Sequence, residues 1–243
     1  MKEERYFYVP DASQVGELPH DEAQHATRVL RLKEGDEIYL IDGCGCFFKA
    51  QVTLASAKRC TYTIMETLPH SHEWQGHLHI AMAPTKMMER TEWMAEKATE
   101  LGIDEFSFLD CQFSERHHLR TDRIDKIVVA AMKQSHKAWK PVVNPLQSFR
   151  SFIEQPREGL KFICHCYNEI ERVDFYETLR GATPTKSSES ITVLIGPEGD
   201  FSIDEVRLAM SHGYQSVSLG SARLRTETAA LSSVMIMQLA QRL

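Results

Sequence analysis

The stretch that decides the fold is residues 191–231, ITVLIGPEGDFSIDEVRLAMSHGYQSVSLGSARLRTETAAL. It predicts a strand, a glycine-containing loop and a helix twice in succession, with the loops at residues 196–199 (GPEG) and 219–228 (LGSARLRTET). In α/β sheets, ligands bind beyond the carboxyl ends of strands, where loops and helix N-termini present backbone N–H groups. Two such loops in tandem, the second rich in charged and hydroxyl residues, therefore predict a ligand site.

Strands and helices alternate from residue 77 onwards, which is typical of an α/β fold with a mainly parallel sheet. The predicted strands lie at 78–83, 105–109, 160–166, 191–195 and 217–219. The predicted helices lie at 86–101, 121–138, 148–154, 174–180 and 202–212, followed by a final helix. A polar surface loop is predicted at 183–189.

Local signals mark the ends of several of these helices. Gly102 is a candidate C-cap, and Ser202 with Glu205 forms the pattern of a capping box. The final helix carries apolar residues with helical spacing, which predicts that this face packs on the core. These residues are Leu231, Val234, Met235 and Leu239.

Residues 1–70 have a different rhythm and predict a small β-rich domain. Asp42-Gly43 is a hairpin turn signal between two of its strands, and a helix at 21–32 places Ala23, Ala26, Val29 and Leu30 on one stripe. Its strands are predicted at 6–9, 37–41, 47–54 and 60–67. We place a linker at 69–76, so that the second domain spans 76–243.

Composition is that of an ordinary globular protein, with 42% hydrophobic and 26% charged residues. No apolar run approaches the roughly 18 residues of a membrane helix, and the charged N-terminus lacks a signal-peptide core. We therefore expect a cytoplasmic protein without a membrane partner. The net charge of −6 argues against a protein that covers nucleic acid non-specifically, although residues 111–140 are locally basic. This segment could equally be a solvated helix face.

The six cysteines include two Cys-x-Cys pairs, Cys44/Cys46 and Cys164/Cys166. Zinc ligands usually have about two to four residues between the cysteines and lie on turns. The second pair instead belongs to a predicted strand. We expect reduced thiols and no metal.

Common phosphate and hydrolase motifs are absent from the two glycine loops. The first loop has no Gly-x-Gly-x-x-Gly pattern and no following Lys-Ser/Thr, which disfavours a dinucleotide or a triphosphate. The sequence also lacks a Gly-x-Ser-x-Gly nucleophile elbow, and this absence disfavours a serine hydrolase. What remains is a ligand held by backbone groups, with Glu198, Arg225 and Glu227 near it.

The run LIGPEGDFSIDEV together with LGSARLRTETAAL resembles the SPOUT methyltransferases, and specifically the bacterial family that methylates uracil N3 in 16S ribosomal RNA. The resemblance covers nearly the whole chain. It includes residues 20–31 (HDEAQHATRVLR), 96–102 (EKATELG), 114–116 (SER) and 133–135 (KQS). As a set these motifs are specific, whereas each alone is only suggestive.

The resemblance implies a C-terminal deep trefoil knot, an N-terminal PUA-like β-barrel, a homodimer, and S-adenosyl-L-methionine as cofactor. It implies 16S ribosomal RNA of the small ribosomal subunit as substrate. Gly196, Gly199 and Gly220 would allow close approach of the backbone to the cofactor. The full implied cofactor set is Leu194, Ile195, Gly196, Pro197, Glu198, Gly199, Leu219, Gly220, Leu224, Thr226, Thr228 and Ala229.

The implied reaction assigns roles to three charged residues. Deprotonation of uracil N3 spreads negative charge onto its oxygens, and we expect Arg225 to stabilise that charge. The alternative role of Arg225 is a salt bridge to Glu227 or a helix cap. Glu198 and Glu227 are candidate proton acceptors, with capping and loop-shaping as their alternative roles.

Five basic residues are candidate phosphate contacts, because phosphate contacts position a protein on RNA. They are Arg28, Arg31, Arg116, Arg120 and Lys137. Two departures from the family pattern affect this surface. Residues 133–137 are KQSHK where the family has Glu-Gln-Ser/Cys-Gly-Arg, and Ala222 with Arg223 replaces an arginine that usually stands at 222.

Two other functions remain open from the sequence. One is a related SPOUT enzyme that acts on another RNA or on a ribose hydroxyl. The other is a non-catalytic RNA-binding or assembly factor that retains the cofactor pocket.

Overall fold

The structure is a computed structural model that describes residues 4–56, 58–72, 74, 76–181 and 190–241. The chain divides into two compact units, each with its own core. The first unit comprises Met1–Glu73 with Val129–Lys140, and the second comprises Trp74–Val128 with Pro141–Leu243. The first unit therefore also takes a segment from the middle of the chain. No helix in the described part of the chain is long and apolar enough to cross a membrane.

The first unit contains a four-stranded sheet with strand order β1-β2-β3-β4. The strands are β1 (Tyr6–Tyr8), β2 (Glu37–Ile41), β3 (Cys46–Ala55) and β4 (Cys60–Pro69). The predicted hairpin between β2 and β3 is confirmed, since these strands pair antiparallel. One carboxylate oxygen of Asp42 fixes the turn by accepting the N–H groups of Cys44 (2.7 Å) and Cys46 (2.9 Å).

The predicted helix at 21–32 is shorter and less regular than expected. Helix α1 (His20–Gln24) passes directly into a π-helical turn, His25–Val29. The extra residue per turn rotates the later side chains away from the predicted stripe. Val29 was predicted to share one stripe with Ala23 and Ala26, which are buried, and is instead 65% exposed.

The second unit is built on a seven-stranded, fully parallel sheet, which confirms the predicted α/β class. Its strand order is β7-β6-β5-β10-β8-β11-β9. The strands are β5 (Leu78–Met82), β6 (Glu105–Asp110), β7 (Val142–Ser148), β8 (Leu160–Cys164), β9 (Val173–Asp174), β10 (Ile191–Ile195) and β11 (Gln215–Ser218).

Helices cover this sheet and begin and end where local chemistry predicts. Ser202 and Glu205 form the predicted capping box, and Gly102 ends a helix with a left-handed φ of 89°. The helices are α2 (Met88–Leu101), α3 (Thr121–Gln134), α4 (Phe149–Glu154), α5 (Phe175–Gly181), α6 (Ile203–Ser211) and α7 (Thr226–Gln241). The predicted polar loop at 183–189 lies outside the described residues.

Helix α3 ends four residues before the predicted position 138. His136, which stands where the family pattern has glycine, has a left-handed φ of 53° and cannot continue the helix. Its ring packs on Tyr6, with the ring centroids 4.2 Å apart. Lys133, another departure in this segment, forms an ion pair with Glu22 at 2.5 Å. His136 and Lys133 therefore have partners inside the first unit.

Strand β7 was not predicted, because it contains Asn144 and Pro145. Proline lacks the N–H that a sheet ladder requires, so it is confined to edge strands and bulges. The structure satisfies both conditions, since β7 is the edge strand and its pairing with β6 shifts register between Val143 and Leu146. The two-residue edge strand β9 was also missed.

The apolar stripe predicted on α7 is only partly buried. Ala230, Val234 and Met237 are in the core, whereas Met235 and Leu239 are 42% and 43% exposed. Helical spacing was therefore correct, but the assignment of Met235 and Leu239 to the core was wrong.

His79 on β5 is a buried titratable group that should make stability depend on pH. Burial lowers its pKa to about 3, so the folded state keeps the ring neutral while the unfolded chain protonates it near pH 6.5. Stability from this group is present above pH 6.5 and is lost as the pH falls towards 3. Between pH 7 and pH 5, we expect the free energy of unfolding of the wild type to fall by about 2 kcal/mol more than that of His79→Gln. Urea unfolding at both pH values measures this, and equal losses would contradict it.

Candidate functional site

The two glycine loops meet at the carboxyl ends of neighbouring parallel strands. Strand β8 lies between β10 and β11, so the loops after all three strands share one edge of the sheet. They surround a cavity of about 470 Å³, a size typical of small-molecule sites. The predicted ligand and catalytic residues that line it are Ile195, Gly196, Pro197, Glu198, Leu219, Gly220, Leu224, Arg225, Thr226 and Ala229.

Four predicted residues do not line the cavity. Leu194 is fully buried in a core cluster with Phe201, and a side chain at Gly199 would contact Phe113 at 3.2 Å. Thr228 is exposed on the first turn of α7, and Glu227 is buried on the same turn. Sequence adjacency to the loops could not reveal these orientations.

Close approach within the first loop explains Gly196. A Cβ atom there would lie 2.9 Å from the backbone N of Phe201, so the glycine is required by the loop's own packing. Asp200, with a left-handed φ of 71°, closes the loop by donating its N–H to the Pro197 carbonyl at 2.9 Å. Its carboxylate accepts the Cys166 N–H at 2.8 Å and joins this loop to the loop after β8. The sequence interpretation did not identify Asp200.

Glu198 and Arg116 hold the segment between β5 and α2. The Glu198 carboxylate accepts the backbone N–H of Lys86 at 2.9 Å. The Arg116 guanidinium donates to the carbonyls of Thr85 at 3.2 Å and Lys86 at 2.6 Å. Arg116, predicted as a phosphate contact, therefore has a structural role in this segment that the sequence did not indicate.

Glu227 is paired with an arginine that the sequence interpretation missed. Its Oε1 lies 3.9 Å from Nε of Arg90, and Arg90 lines the cavity. The Glu227 Oε2 atom is buried without a hydrogen-bond partner among the described residues. The proposed salt bridge from Arg225 to Glu227 is not formed within 4 Å, since Arg90 occupies that place.

The second loop turns at Gly220 and leads directly into α7. The Ser218 hydroxyl accepts the Gly220 N–H at 3.2 Å and donates to the Gly220 carbonyl at 3.0 Å. Gly220 has a φ of 112°, which only glycine adopts readily. Arg225 is exposed on the cavity wall, and its carbonyl accepts the first helical bond of α7, from Ala229, at 2.8 Å.

The third wall of the cavity is the Cys164-His165-Cys166 motif at the end of β8. His165 Nδ1 accepts the Tyr167 N–H at 3.2 Å, so Nε2 carries the proton and donates to the Ser216 hydroxyl at 2.7 Å. Burial lowers the pKa of His165 and keeps it neutral. Burial raises the pKa of Cys164 to about 12, so its thiol is protonated. The motif forms the carboxyl end of the predicted strand at 160–166, and that position was the signal that could have placed it at the site.

Neither Cys-x-Cys pair forms part of a metal centre in the part of the chain that the structure describes. All six cysteines are free thiols. No group of three or more His, Cys, Asp or Glu side chains among those residues is arranged to hold an ion.

The other candidate RNA contacts are distributed over both units. Arg28 and Arg31 are exposed in the first unit, and Arg31 has a φ of 52° just after the π-helical turn. Lys137 is half-buried in the same unit. In the second unit, Arg120 is exposed and paired with Asp122 at 2.9 Å.

Two protein families match this chain. An RNA methyltransferase domain matches residues 72–238, and an RNA methyltransferase PUA domain matches residues 18–65. Among curated proteins, Ribosomal RNA small subunit methyltransferase E of Rickettsia conorii is 27% identical over 220 residues, covering 90% of this chain and 87% of the relative.

Solved structures match over nearly the whole chain. A "probable rRNA-methyltransferase" from Porphyromonas gingivalis is 37% identical with a TM-score of 0.87, covering 98% of each chain. A Ribosomal RNA small subunit methyltransferase E from Neisseria gonorrhoeae, bound to S-adenosyl methionine, is 26% identical with a TM-score of 0.84, again covering 98% of each. The chain therefore belongs to the RNA methyltransferase family that joins this domain to an N-terminal PUA domain, as its motifs predicted.

Proposed function

We propose that this protein transfers a methyl group from S-adenosylmethionine to N3 of a uracil in 16S ribosomal RNA of the small subunit. The observation that carries the proposal is the cavity at the ends of β10, β8 and β11, with Arg225 on its wall. The similar protein from Neisseria gonorrhoeae binds S-adenosyl methionine and is named for the small subunit's RNA. The choice of uracil N3 rests on the motif resemblance.

The cavity fits the cofactor in size and in chemistry. Its volume of about 470 Å³ suits a drug-sized molecule. Leu219 and Leu224 offer apolar contact, whereas Gly196 and Gly220 leave backbone groups accessible on the two loops. When bound, the cofactor supplies a methyl group already activated on a sulfonium.

The protein must therefore orient the base and stabilise charge, since the methyl donor needs no further activation. Arg225 is exposed on the cavity wall, where its guanidinium stabilises the anion that forms as N3 loses its proton. Glu198 is the better-placed proton acceptor, because it lines the cavity. Glu227 is buried beside Arg90 and acts by positioning that arginine.

The RNA must present an unpaired or extruded base, because N3 lies on the pairing edge of uracil. Arg28, Arg31, Arg120 and Lys137 are proposed as phosphate contacts, each on the surface of its own unit. Arg116 is proposed as a further phosphate contact, and its guanidinium also holds the segment at Thr85 and Lys86.

We also propose the knot and the homodimer that the resemblance implies. Strands β10 and β11 are inserted between strands that precede them in the chain, an order that is compatible with such a knot. Met235 and Leu239 form an exposed apolar pair on α7. A second copy of this chain is the proposed occupant of that surface, because the resemblance implies a homodimer and an interface would cover this apolar pair.

The double substitution Met235→Glu/Leu239→Glu should convert the dimer to a monomer, because it places charges in an apolar interface. Light scattering after size exclusion measures the change in mass. Met210→Glu is the matched control, since Met210 is also 42% exposed but lies on α6. A dimer that survives the double substitution, or a monomeric wild type, would contradict the proposed interface.

Radiolabelled methyl transfer tests the proposed function. Purified protein, labelled S-adenosylmethionine and either small-subunit RNA or assembled particles should give label in the RNA, recovered as N3-methyluridine after digestion. Label in a ribose methyl group or in another base would identify a different reaction of the same family. No transfer to RNA or to particles would support a non-catalytic role.

A further inference from the structure

A second cavity, of about 710 Å³, adjoins the first one at the ends of β8 and β11. The residues that line both cavities are Cys166, Arg172, Ser218, Gly220, Ala222 and Arg223, while Asn168, Asp174 and Ser221 line only the second. The first cavity is the proposed cofactor site, so the second, which adjoins it, is the space from which a substrate would approach.

Arg172 lies at the boundary between the two cavities, and the groups that hold it there leave its positive charge uncompensated. Its guanidinium donates to the His165 carbonyl at 2.8 Å and to the Asn168 side chain at 3.4 Å. Among the described residues, no carboxylate lies within 4 Å of it. A guanidinium has five N–H donors, so Arg172 has further donors for an incoming oxyanion.

Arg223 adds a second positive charge to the same boundary. It is exposed and, within the described ranges, also lacks a carboxylate within 4 Å. Asp174 is the acid that lines the second cavity, and its Oδ1 accepts the Glu177 N–H at 2.9 Å at the start of α5. The second cavity is therefore lined by two guanidinium groups and one carboxylate already engaged in a helix cap, and the Asp200 carboxylate of the first cavity is engaged by the Cys166 N–H at 2.8 Å.

We propose that Arg172 and Arg223 form a phosphate-binding subsite for the RNA nucleotide whose base enters the first cavity. This inference rests on the proposed function and extends it. A planar guanidinium matches phosphate oxygens in a bidentate manner, and a protein with a net charge of −6 must concentrate positive charge where it meets RNA. The subsite also gives a role to Arg223, which stands one residue after the family's usual arginine position.

The test compares RNA binding with cofactor binding in the full-length protein. Arg223→Gln should weaken binding of small-subunit RNA about 5–20-fold by fluorescence anisotropy, and should lower the slope of log K against log salt by about 0.7–0.9. Arg172→Lys keeps the positive charge but loses the bidentate guanidinium, and should weaken RNA binding about 3–10-fold. In both variants, the calorimetric Kd for S-adenosylmethionine should stay within about twofold of wild type. Arg207→Gln, an exposed arginine on α6, is the matched control.

Two results would overturn the subsite. One is RNA binding by Arg223→Gln that equals the Arg207→Gln control. The other is an equal loss of affinity for RNA and cofactor, which would assign the arginines to the carboxylate of S-adenosylmethionine. The proposed function fails separately, if wild type binds RNA with this arginine dependence but transfers no methyl group.

Discussion

Replacing Arg225 by alanine should reduce methyl transfer to small-subunit RNA by about 10²–10³-fold, the usual cost of removing a group that stabilises developing negative charge. Cofactor binding should change by less than about threefold, because in the proposed site backbone groups of the two loops hold the ligand. Arg225 is exposed and its carbonyl alone takes part in the start of α7, so the fold should survive. Single-turnover rates and a calorimetric Kd measure the two effects separately.

Two further variants make the Arg225 result specific. Arg225→Lys keeps the positive charge and should transfer methyl groups about tenfold faster than Arg225→Ala. It should remain slower than wild type, because lysine lacks the planar guanidinium with its paired donors. Arg207→Ala removes an exposed arginine from α6 and should leave the rate unchanged. Near wild-type transfer by Arg225→Ala would remove this residue from the mechanism.

Replacing Gly196 by alanine should weaken S-adenosylmethionine binding by about 10–100-fold. The added Cβ would lie 2.9 Å from the Phe201 backbone N and 3.2 Å from the carbonyl carbon of Asp200. Backbone atoms cannot move aside as a flexible side chain would, so the loop must shift at a cost of about 1–3 kcal/mol. Isothermal calorimetry gives the affinity, and thermal unfolding shows how much of the effect is global.

Gly181 provides the matched control for Gly196. It ends α5, and a Cβ there would meet no atom of the described residues within 4 Å. Gly181→Ala should therefore bind the cofactor within about twofold of wild type. If Gly196→Ala behaved in the same way, the close packing of the first loop would not determine the shape of the cofactor pocket.

Local chemistry made much of the second unit predictable. The capping box at Ser202 and Glu205 and the helix end at Gly102 depend on residues a few positions apart, and the sequence shows them directly. The two glycine loops were also assigned correctly to the ends of strands. These features need no knowledge of which strands are neighbours.

Strand order was the information that the sequence lacked. The placement of β8 between β10 and β11 brings Cys164, Cys166 and Arg172 to the cavity, although each lies more than about 20 residues from the glycine loops. Arg90 and Asp200 were missed for a related reason, because their roles depend on contacts with Glu227 and with the loop after β8.

Burial was the second limit of the sequence interpretation. Met235 and Leu239 have the spacing of core residues but are exposed, since periodicity alone does not distinguish a core from an interface. Val29 was misassigned because a π-helical turn changes the period on which the stripe was based. Pro145 concealed an edge strand that uses a bulge to accommodate it.

The most direct test of the central claim is mass spectrometry of ribosomal RNA from a strain that lacks this protein. We predict that N3-methyluridine disappears from 16S RNA, returns when the wild-type gene is restored, and stays absent when Arg225→Ala is restored instead. Retention of N3-methyluridine in the deletion strain, or loss of a different modified nucleoside, would contradict the account.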